Sequence, residues 1–543
     1  NQVFTYAYDP GGRPLTLTYP SSTGVVAHFS GPNSEVGWDG NGQLKHLRYV
    51  KDGSTLIRRF EFDYDLAGNR ISQLDVKGGT SPSATKWEYG YDWLDRLETV
   101  KKATGPDENN LGVLQLTSVY SYDASDNRTE FQVPNINPAL TETFTYSYKL
   151  GDEIESVSKQ VGTGSPVVIE TFTSDDDGNL ITRTDTTSSI VTTYSWTDFN
   201  RLASISTSDN SKKQEHTFAP NGFRRKKKDK NNVETTEYAA GLATAVSKAQ
   251  GGETYSYLMG SGIMGFERES DGAMYYFLTD ALSTVRDIIN SSGTAISGYE
   301  FSEYGGKISP ANTSGVESDK TYVGGMSVQD EVSETGLMMM GHRFYAPTLG
   351  RFLSRDPIGH AGGMNLYSYA NSNPSTFADP TGLFTGAEAA AAARVFIAQM
   401  ETMIASGSGA AAAGPNPLIL GTLMTGVIGQ YLIDNYVEDY YSRAPDVLAS
   451  GRTFAYVNQG GDAVGHLDTA MRFKKLADAK GATFSEPCPG GSINTNASRF
   501  GHTFTRHGQN SLRFIMMRFA DPKFSENEQG QFLDDQAAAA FIL

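Results

Sequence analysis

The sequence predicts a mostly β fold built from stacked β-hairpins, followed by a C-terminal region of a different kind. A short motif, an aromatic residue followed by Asp and then by Gly or Asp three residues later, recurs through the first two hundred residues. The runs between copies alternate polar and apolar residues with period two, which is the pattern of β-strands. After Leu383 the composition changes at once to an Ala-rich sequence. A repeat of roughly 20–50 residues is typical of architectures in which neighbouring units stack.

The repeat explains its own turns. Asp and Asn side chains accept hydrogen bonds from turn backbone, and Gly tolerates positive φ. Runs such as residues 59–64 and 143–148 present an aromatic face that one hairpin cannot bury alone, so we expect neighbours to stack into a continuous sheet. Successive anchors lie 22 to 31 residues apart, at Asp9, Asp39, Asp65, Asp92, Asp123, Lys149, Asp175, Thr197 and Ala219.

Length and charge limit the functional classes. A chain of 543 residues is too long for one ordinary core, so we expect two or more domains. The net charge of −17 argues against a chain-wide nucleic-acid or anionic-membrane surface. Cys488 is the only cysteine, so no intrachain disulfide can form. Since the sequence starts without Met in a strand-like run and stops inside an apolar run, we expect a fragment of a longer protein.

A basic run, RRKKKDK at residues 224–230, lies beside a repeat turn. It is open to two interpretations, a nucleic-acid patch or the solvated tip of a hairpin. Charge runs usually form solvated faces, so the sequence favours the hairpin tip.

Two Asp-Pro-x-Gly motifs, at Asp356 and Asp379, stand in the same register between residues 350 and 383. Each Asp precedes Pro, which favours an extended conformation, and each is followed by a Gly that permits a tight turn. Two such loops can present two carboxylates face to face, and a pair that shares one proton supplies an acid and a base. Peptide hydrolysis is therefore one interpretation. The other is structural, with both Asp residues capping backbone amides in turns.

The stretch GRFLSRDPIGHAGGMNLYSYANSNPSTFADPTGL resembles the core signature of the RHS-repeat (YD-repeat) proteins. Upstream segments follow the family's order. Residues 275–286 resemble its HTDxLGT segment, with Leu278 in place of His, and residues 300–306 resemble its YDxYG element. Residues 334–352 resemble ETGLYYxRARYYDPxxGRF, with Met338, Met339 and Met340 in place of tyrosines and Ala346 in place of Asp. The resemblance covers residues 1–383.

The resemblance implies a spiralling shell, or cocoon, of YD-repeat β-hairpins that is closed by the RHS core plug and encloses an α or α+β C-terminal toxin domain. The expected domains are the YD-repeat shell at 1–230, the RHS-associated core at 231–383, a helical linker or pre-toxin segment at 384–434, and an incomplete toxin domain at 435–543.

The resemblance also implies self-cleavage. In the family the chain cuts itself after the final DPxGL, which here lies between Leu383 and Phe384. Asp356 and Asp379 would form the aspartic dyad. Arg343 stands at the family's usual arginine position, with Arg351 and Arg355 as competitors for the same role. No cofactor and no metal ion are expected.

The sequence after Leu383 divides into three parts. An Ala-rich helix is expected through Ile404, and residues 406–417 have the composition of a linker. Residues 418–433, LILGTLMTGVIGQYLI, are apolar but shorter than the ~20 residues of a membrane span. A buried helix is favoured over a segment that assists translocation.

Candidate toxin chemistry lies in SRFGHTFTRHGQNS at residues 498–511. One neutral and one protonated imidazole, from His502 and His507, can act as base and acid on an RNA 2′-hydroxyl and its 5′-leaving oxygen. Arg506 can stabilise the charged phosphorane. Residues 471–520 carry eight Lys and Arg against two acidic residues, as a nucleic-acid groove requires. The five-residue spacing places the two histidines off one helical face, which argues against a metal site.

This pattern resembles the RNase-type toxin tips of bacterial contact-dependent and RHS systems. An NAD-consuming toxin (NADase or ADP-ribosyltransferase), or another activity or a structural role for the histidines, remains open. So does a non-enzymatic YD-repeat cell-surface protein. The partners implied are the chain's own toxin inside the shell, a cognate immunity protein, secretion machinery (a type VI spike or a Tc-type partner) and RNA as substrate, with no DNA. The expected location is secreted, with the toxin delivered to the target-cell cytoplasm.

Overall fold

The computed structural model describes residues 3–33, 35–79, 82–219, 224–239, 245–312 and 316–383. All of these except 358–361 belong to one compact unit, which is the subject of this section. The unit contains a 26-stranded antiparallel sheet followed by a four-stranded sheet. The mostly β prediction is therefore confirmed, whereas the predicted linker at 384–434 and the α or α+β toxin domain at 435–543 lie outside the described residues.

Every strand of the large sheet pairs with the strands before and after it in sequence, so the sheet is one long meander. It continues through residue 230, the predicted end of the shell domain, as far as Asn312. The strands of the large sheet are β1 Thr5–Tyr8, β2 Pro14–Thr18, β3 Val25–His28, β4 His46–Lys51, β5 Thr55–Tyr64, β6 Arg70–Lys77, β7 Ser83–Tyr91, β8 Leu97–Gly105, β9 Gln115–Tyr122, β10 Arg128–Val133, β11 Glu142–Tyr148, β12 Ile154–Val161, β13 Val167–Ser174, β14 Leu180–Asp185, β15 Val191–Trp196, β16 Leu202–Thr207, β17 Lys213–Phe218, β18 Arg224–Asp229, β19 Glu234–Ala239, β20 Ala245–Gln250, β21 Glu253–Met259, β22 Ile263–Arg268, β23 Ala273–Thr279, β24 Val285–Asn290, β25 Ala295–Phe301 and β26 Lys307–Asn312.

The second sheet comprises β27 Gln329–Glu331, β28 Leu337–Met340, β29 Arg343–Ala346 and β30 Arg351–Phe352. One short α-helix, α1 Val332–Thr335, joins β27 to β28. Single 3-10 turns lie at Ser21–Thr23, Pro138–Leu140, Gly324–Met326, Gly359–Gly362 and Ala370–Ser372. In the described ranges, no helix is long and apolar enough to cross a membrane.

The aromatic residue of each repeat ties its hairpin to the preceding one. In six described repeats the side chain donates a hydrogen bond to the backbone carbonyl five residues after the preceding anchor. This explains why the position holds Tyr or Trp, whose O–H or N–H needs a partner when buried. The bonds measure 2.5–2.9 Å and join Trp38 to Pro14, Tyr64 to Leu44, Tyr91 to Arg70, Tyr122 to Leu97, Tyr148 to Arg128 and Trp196 to Leu180.

The Asp of each repeat closes its turn, and the residue four positions later links the turn to the next. In the turn at Asp65, Oδ1 accepts the backbone N–H of Asn69 at 2.8 Å, and Oδ2 accepts its side-chain N–H at 3.0 Å. The same Asn69 amide donates to Asp95 of the following turn at 2.8 Å. Equivalent forward links join Arg13 to Asp39, Gln43 to Gly68, Arg96 to Asp126, Asn127 to Asp152, and Asn179 to Asn200. The turns therefore form a continuous row.

The sheet also curves so that its early strands pack against its late strands. The Tyr19 hydroxyl donates to the carbonyl of Phe277 at 2.7 Å, across more than 250 residues of sequence. Arg58 on β5 pairs with Asp75 at 2.7 Å and with Asp287 on β24 at 2.8 Å, and all three are buried. A buried charge cluster of this kind is satisfied only when both ends of the sheet meet.

The second sheet lies between two groups of repeats. Met338 and Met340 of β28 pack into one hydrophobic cluster with Trp87, Leu97 and Tyr120. Leu337 and Met339, on the opposite face of the same strand, pack into another cluster with aromatic and aliphatic residues of β11 to β16. Because both faces are covered, all four residues of β28 are buried, which accommodates the methionines that replace the family's tyrosines.

The basic run at 224–230 is not a solvated hairpin tip, and that prediction is wrong. Residues 224–229 form strand β18, in which Arg224 and Lys227 are buried. Arg224 is fully buried and pairs with Glu237 and Glu331, each at 2.7 Å. Lys227 pairs with Glu331 at 3.2 Å and Glu334 at 3.0 Å. Opposing carboxylates offset the cost of burying these charges, and Glu331 and Glu334 are supplied more than 100 residues later.

Candidate functional site

Residues 337–383, here called the strap, lie along the row of repeat turns. The strap makes hydrogen bonds to six successive turns, which begin at the anchors Asp65, Asp92, Asp123, Lys149, Asp175 and Thr197. These bonds run from Asn373 to Asn69 and to the Asp95 carbonyl, from Asn365 to Asn127, from Arg351 to the Asp152 carbonyl, from Tyr367 to the Gly178 carbonyl, and from Arg201 to the His342 carbonyl. The repeats therefore position the strap along its whole length.

Two carboxylates and one guanidinium meet within the strap. Nη2 of Arg343 lies 2.7 Å from Oδ2 of Asp356 and 3.3 Å from Oδ2 of Asp379. The two carboxylate oxygens can thus be no farther apart than the sum of those distances. All three side chains are buried, with exposed fractions of 3% for Arg343, 7% for Asp356 and 2% for Asp379. Asp356 and Asp379, the first residues of the two Asp-Pro-x-Gly motifs, are thus brought together at one guanidinium.

The guanidinium of Arg343 also contacts an aromatic ring and two backbone carbonyls. It lies over the ring of Phe352, 3.6 Å from the centroid. Nη1 donates to the carbonyl of Leu366 at 2.9 Å, and Nε donates to the carbonyl of Gly382. Burial lowers the pKa of Arg343, and the charges of Asp356 and Asp379 act in the opposite direction. The single cation faces two carboxylates, so one negative charge exceeds what Arg343 can neutralise.

The turn at Asp379 shares two hydrogen bonds with the repeat turns, and its Oδ2 has a different partner. Oδ1 accepts the backbone N–H of Leu383, four residues on, at 3.1 Å, and the Gly382 N–H donates to the Asp379 carbonyl at 3.4 Å. Oδ1 also accepts the Thr381 hydroxyl at 3.1 Å. In five repeat turns Oδ2 accepts a hydrogen bond from the polar side chain at the fourth position, but that residue is Leu383 here. The five turns are those at Asp9, Asp65, Asp92, Asp123 and Asp175. Oδ2 of Asp379 instead contacts Arg343.

The loop 379–383 runs directly against the β28–β29 hairpin. The backbone N–H of His342 donates to the Thr381 carbonyl at 2.9 Å, and Nδ1 of the same histidine lies 3.2 Å from that oxygen. Gly341 and Gly382 both have positive φ, 50° and 67°, and a side chain at either would collide with the facing backbone. Burial and the charge of Arg201 lower the pKa of His342 to about 4, so it is neutral at pH 7.

The two competing arginines are engaged elsewhere. Arg351 stacks on Tyr148 and Tyr367, with its Cζ 5.0 Å and 4.6 Å from the ring centroids. Arg355 pairs with Glu153 at 2.8 Å. Of the three candidates, Arg343 is the one that contacts both Asp356 and Asp379.

The remaining predicted residues lie outside the described part of the chain. These are Phe384, on the far side of the predicted cut, and the toxin candidates His502, Arg506 and His507. Within the described ranges, no group of three or more His, Cys, Asp or Glu side chains is placed to hold a metal ion.

The sequence interpretation missed three residues around the dyad. Phe352, which stacks on Arg343, belongs to the GRF triplet that was quoted only for its resemblance. His342 sits beside Arg343 but had no motif of its own. Gly362 stands in the Gly-rich bridge, where the Gly362-Gly363 doublet was the available signal.

Comparisons with known proteins agree with this architecture. The family model described as Teneurin YD-shell matches residues 5–375. The "Double-stranded DNA deaminase toxin A" of Burkholderia cenocepacia is 25% identical over 398 residues, 69% of this chain and 24% of that protein. The "tRNA3(Ser)-specific nuclease WapA" of Bacillus spizizenii is 25% identical over 346 residues, 63% of this chain and 11% of that protein.

The "Toxin subunit YenC1" of Yersinia entomophaga is 38% identical over 99 residues, 18% of this chain and 10% of that protein. The chain thus spans between a tenth and a quarter of the length of these relatives. The family match covers well over half of the chain. The protein therefore belongs to the Teneurin YD-shell family, which confirms the resemblance to RHS-repeat (YD-repeat) proteins seen in its sequence.

Proposed function

We propose that this chain is part of a secreted bacterial RHS toxin whose β-shell encloses a C-terminal toxin, and that the toxin is freed by aspartyl self-cleavage between Leu383 and Phe384. The shell protects the producing cell because the enclosed enzyme has no access to substrate before delivery. The proposal includes delivery by a type VI spike or a Tc-type partner into the target-cell cytoplasm. It also includes a cognate immunity protein for the toxin.

The observation that carries the cleavage proposal is the buried contact of Arg343 with both Asp356 and Asp379, within a loop that ends at Leu383. The capping Asp side chains of the repeat turns, such as Asp65, are half-buried, whereas Asp356 and Asp379 are both buried. Bringing two carboxylates together out of water is costly unless a proton or cation neutralises them. Such pairs are typical of sites that carry out acid–base chemistry.

The reaction follows from that arrangement. Oδ2 of Asp356 and the Leu383 carbonyl oxygen both lie near Gly362, whereas Asp379 accepts the Leu383 N–H and the Thr381 hydroxyl, so we assign the shared proton to Asp356 and the role of base to Asp379. A water molecule attacks the Leu383 carbonyl carbon and gives a proton to Asp379. Asp356 gives its own proton to the carbonyl oxygen. When the tetrahedral intermediate collapses, the C–N bond breaks, Asp379 gives the proton it took from water to the Phe384 nitrogen, and Asp356 takes back a proton from a hydroxyl of the intermediate. The products are a carboxylate at Leu383 and an amine at Phe384.

Isotope labelling tests this hydrolysis. Synthesis in 18O-water should place one 18O atom in the new carboxylate of Leu383, and sequencing of the second fragment should begin at Phe384. Asp379→Asn should leave the chain intact, whereas Asp175→Asn, in a repeat turn, should not affect cleavage. A second fragment that begins at another residue, or an intact wild-type chain, would refute the proposed site.

For the enclosed toxin we propose a metal-independent RNase that uses His502 and His507 as acid and base and Arg506 for the charged phosphorane. Its support is the sequence pattern at 498–511 and the local basic surplus. The relatives carry different named activities on a similar shell, a tRNA nuclease and a DNA deaminase, so similarity over the shell does not select the substrate. An NAD-consuming toxin is the alternative.

Expression of residues 384–543 in bacteria distinguishes the two activities. The RNase proposal expects growth arrest with degraded RNA and normal NAD levels, relieved by His502→Ala or His507→Ala. His466→Ala is the matched control, since it removes a histidine of the same segment outside the motif. Loss of NAD with intact RNA would replace the RNase proposal with its alternative.

A further inference from the structure

Gly362 lies in the bridge between the two Asp-Pro-x-Gly motifs, and it has no space for a side chain. A Cβ atom at this position would lie 2.5 Å from Oδ2 of Asp356 and 2.9 Å from its Cγ. The same Cβ would lie 3.0 Å from the carbonyl oxygen of Leu383. Carbon and oxygen atoms that are not bonded repel each other strongly at such distances.

These distances locate the carbonyl of the proposed cleavage bond. The Leu383 carbonyl oxygen and Oδ2 of Asp356 both border the point where a side chain at 362 would begin. They are therefore no farther apart than the sum of their distances to that point. The backbone N–H of Leu383 donates a hydrogen bond to Oδ1 of Asp379 at 3.1 Å. Leu383 is thus placed between the two carboxylates, with its carbonyl toward Asp356.

The reason for glycine at 362 differs from the reason at its neighbours. Gly341 and Gly382 have positive φ, so their backbone conformation itself favours glycine. The φ of Gly362 is outside that left-handed range, and only the surrounding atoms exclude a side chain. Conformational freedom therefore does not account for this glycine, whereas the close approach of Asp356 and of the Leu383 carbonyl to its Cβ position does.

We propose that Gly362 is a positioning residue for self-cleavage, because its missing side chain leaves the space in which the Leu383 carbonyl reaches Asp356. This inference rests on the proposed cleavage. A methyl group at 362 separates the carbonyl from the acid without changing either carboxylate or Arg343. Displacement of a reacting group by about 1 Å can slow a reaction about 100-fold.

The test compares Gly362→Ala with Gly40→Ala in the full chain. Gly40 has ordinary φ, and an added Cβ there meets no atom within 4 Å, so its substitution controls for the change from Gly to Ala. Cleavage is followed by intact mass under denaturing conditions at intervals after a pulse of cell-free synthesis. The rate is expressed per folded molecule, with the folded fraction measured by near-UV circular dichroism. Both substitutions are also made in an uncut Asp356→Asn chain, where Tm can be compared without cleavage.

We expect Gly362→Ala to cleave about 100-fold more slowly per folded molecule than wild type, and Gly40→Ala to cleave at the wild-type rate. In the Asp356→Asn background, Gly362→Ala should lower Tm, because the clash with residue 356 and with the Leu383 carbonyl remains there. This fall measures the structural cost of the methyl group separately from the rate of cleavage per folded molecule. A Gly362→Ala rate per folded molecule equal to wild type overturns the inference, whether or not Tm falls. An uncut wild-type chain instead refutes the proposed cleavage itself, so the two failures are distinct.

Discussion

The turn at Asp65 and the turn at Asp379 share two closing hydrogen bonds but differ in the partner of one carboxylate oxygen atom. Each Asp accepts the N–H of the residue four positions later on Oδ1, at 2.8 Å and 3.1 Å. Each is closed by a glycine with positive φ, Gly68 at 92° and Gly382 at 67°. In the first turn Oδ2 is bonded to Asn69, which continues the row of repeats. In the second, Oδ2 contacts Arg343.

The difference shows how a repeat turn can become a candidate reactive site without a new backbone. Leu383 stands where repeats have Asn, Arg or Gln, so the side chain that would occupy Oδ2 is missing. The neighbouring turns bind the strap, which places Arg343 beside Oδ2 of Asp379 and also beside Asp356. The comparison predicts that substitutions at Arg343 and Leu383 slow cleavage per folded molecule.

The largest effect is expected from Arg343→Gln. Loss of the guanidinium leaves two buried carboxylates without their cation, and cleavage should slow by about 100- to 1000-fold. Arg96→Gln is the control, because Arg96 pairs with Asp92 of a repeat turn and not with the dyad. It should cost stability but leave cleavage per folded molecule unchanged. Quantified band intensities after expression measure the cleaved fraction of both variants. An equal loss of cleavage in the two would contradict the comparison.

A smaller effect is expected from Leu383→Asn, which restores the residue type of a repeat turn. The new amide can donate to Oδ2 of Asp379, as Asn69 does at Asp65, and it should compete with Arg343 for that oxygen. We expect cleavage to slow about tenfold, since one charge-assisted contact is weakened. Leu383→Met keeps an apolar side chain of similar size and should cleave normally. The time course of cleavage after synthesis separates them, and an asparagine variant as fast as the methionine variant would refute the role of the fourth residue.

The packing of repeats on the strap should make the protein sensitive to acid through His216. This histidine stacks on Phe344 of the strap, with ring centroids 5.0 Å apart. Burial, with Arg224 adding to it, lowers its pKa to about 4. Between the ordinary value of 6.5 and about 4, the unfolded chain binds a proton that the folded chain does not. The free energy of unfolding therefore decreases as the pH is lowered through that window, by about 1.4 kcal/mol for each pH unit.

His216→Gln should reduce that dependence by about the same slope, measured as urea midpoints at pH 7 and pH 5. The remaining dependence includes His342, whose pKa is also lowered to about 4. Equal slopes in wild type and variant would show that His216 does not couple repeats to strap.

The smallest effect is expected from Asn373→Ala. Its amide donates to Asn69 and to the Asp95 carbonyl, both at 2.9 Å, and so fastens the strap to two turns. Loss of the side chain should lower the free energy of unfolding by about 1–2 kcal/mol. Asn41→Ala, at an exposed turn position, is the control and should change it by less than about 0.5 kcal/mol. A chemical denaturation curve that is the same for both variants would mean that the strap does not depend on this contact.

Local patterns predicted much of the fold. Asp, Gly and the flanking alternation indicated the turns and strands, because those features depend on residues close in sequence. The face-to-face approach of Asp356 and Asp379 was predicted from two matching motifs, and Arg343 from its place in the family's pattern. The structure has these three side chains in contact, while their part in cleavage stays a proposal.

Features that depend on distant residues were not predictable. Arg224 and Lys227 were predicted to be solvated, and Glu331, which pairs with both of them, lies more than 100 residues later. The Arg58 to Asp287 pair spans still more of the chain. Gly362 stands in a Gly-rich stretch, and no sequence pattern distinguished it from its neighbours. Its importance lies in the distances to Asp356 and Leu383, which sequence spacing does not contain.

The most direct test is the intact mass of the purified chain under denaturing conditions, beside Asp356→Asn, Asp379→Asn and the repeat-turn control Asp65→Asn. The account predicts two fragments that meet at Leu383 and Phe384 in wild type and in Asp65→Asn, and one uncut chain in both dyad variants. An uncut wild-type chain would contradict it, and so would dyad variants that are still cut. In the first case the two turns would both be structural, and the protein would be a YD-repeat shell without self-cleavage.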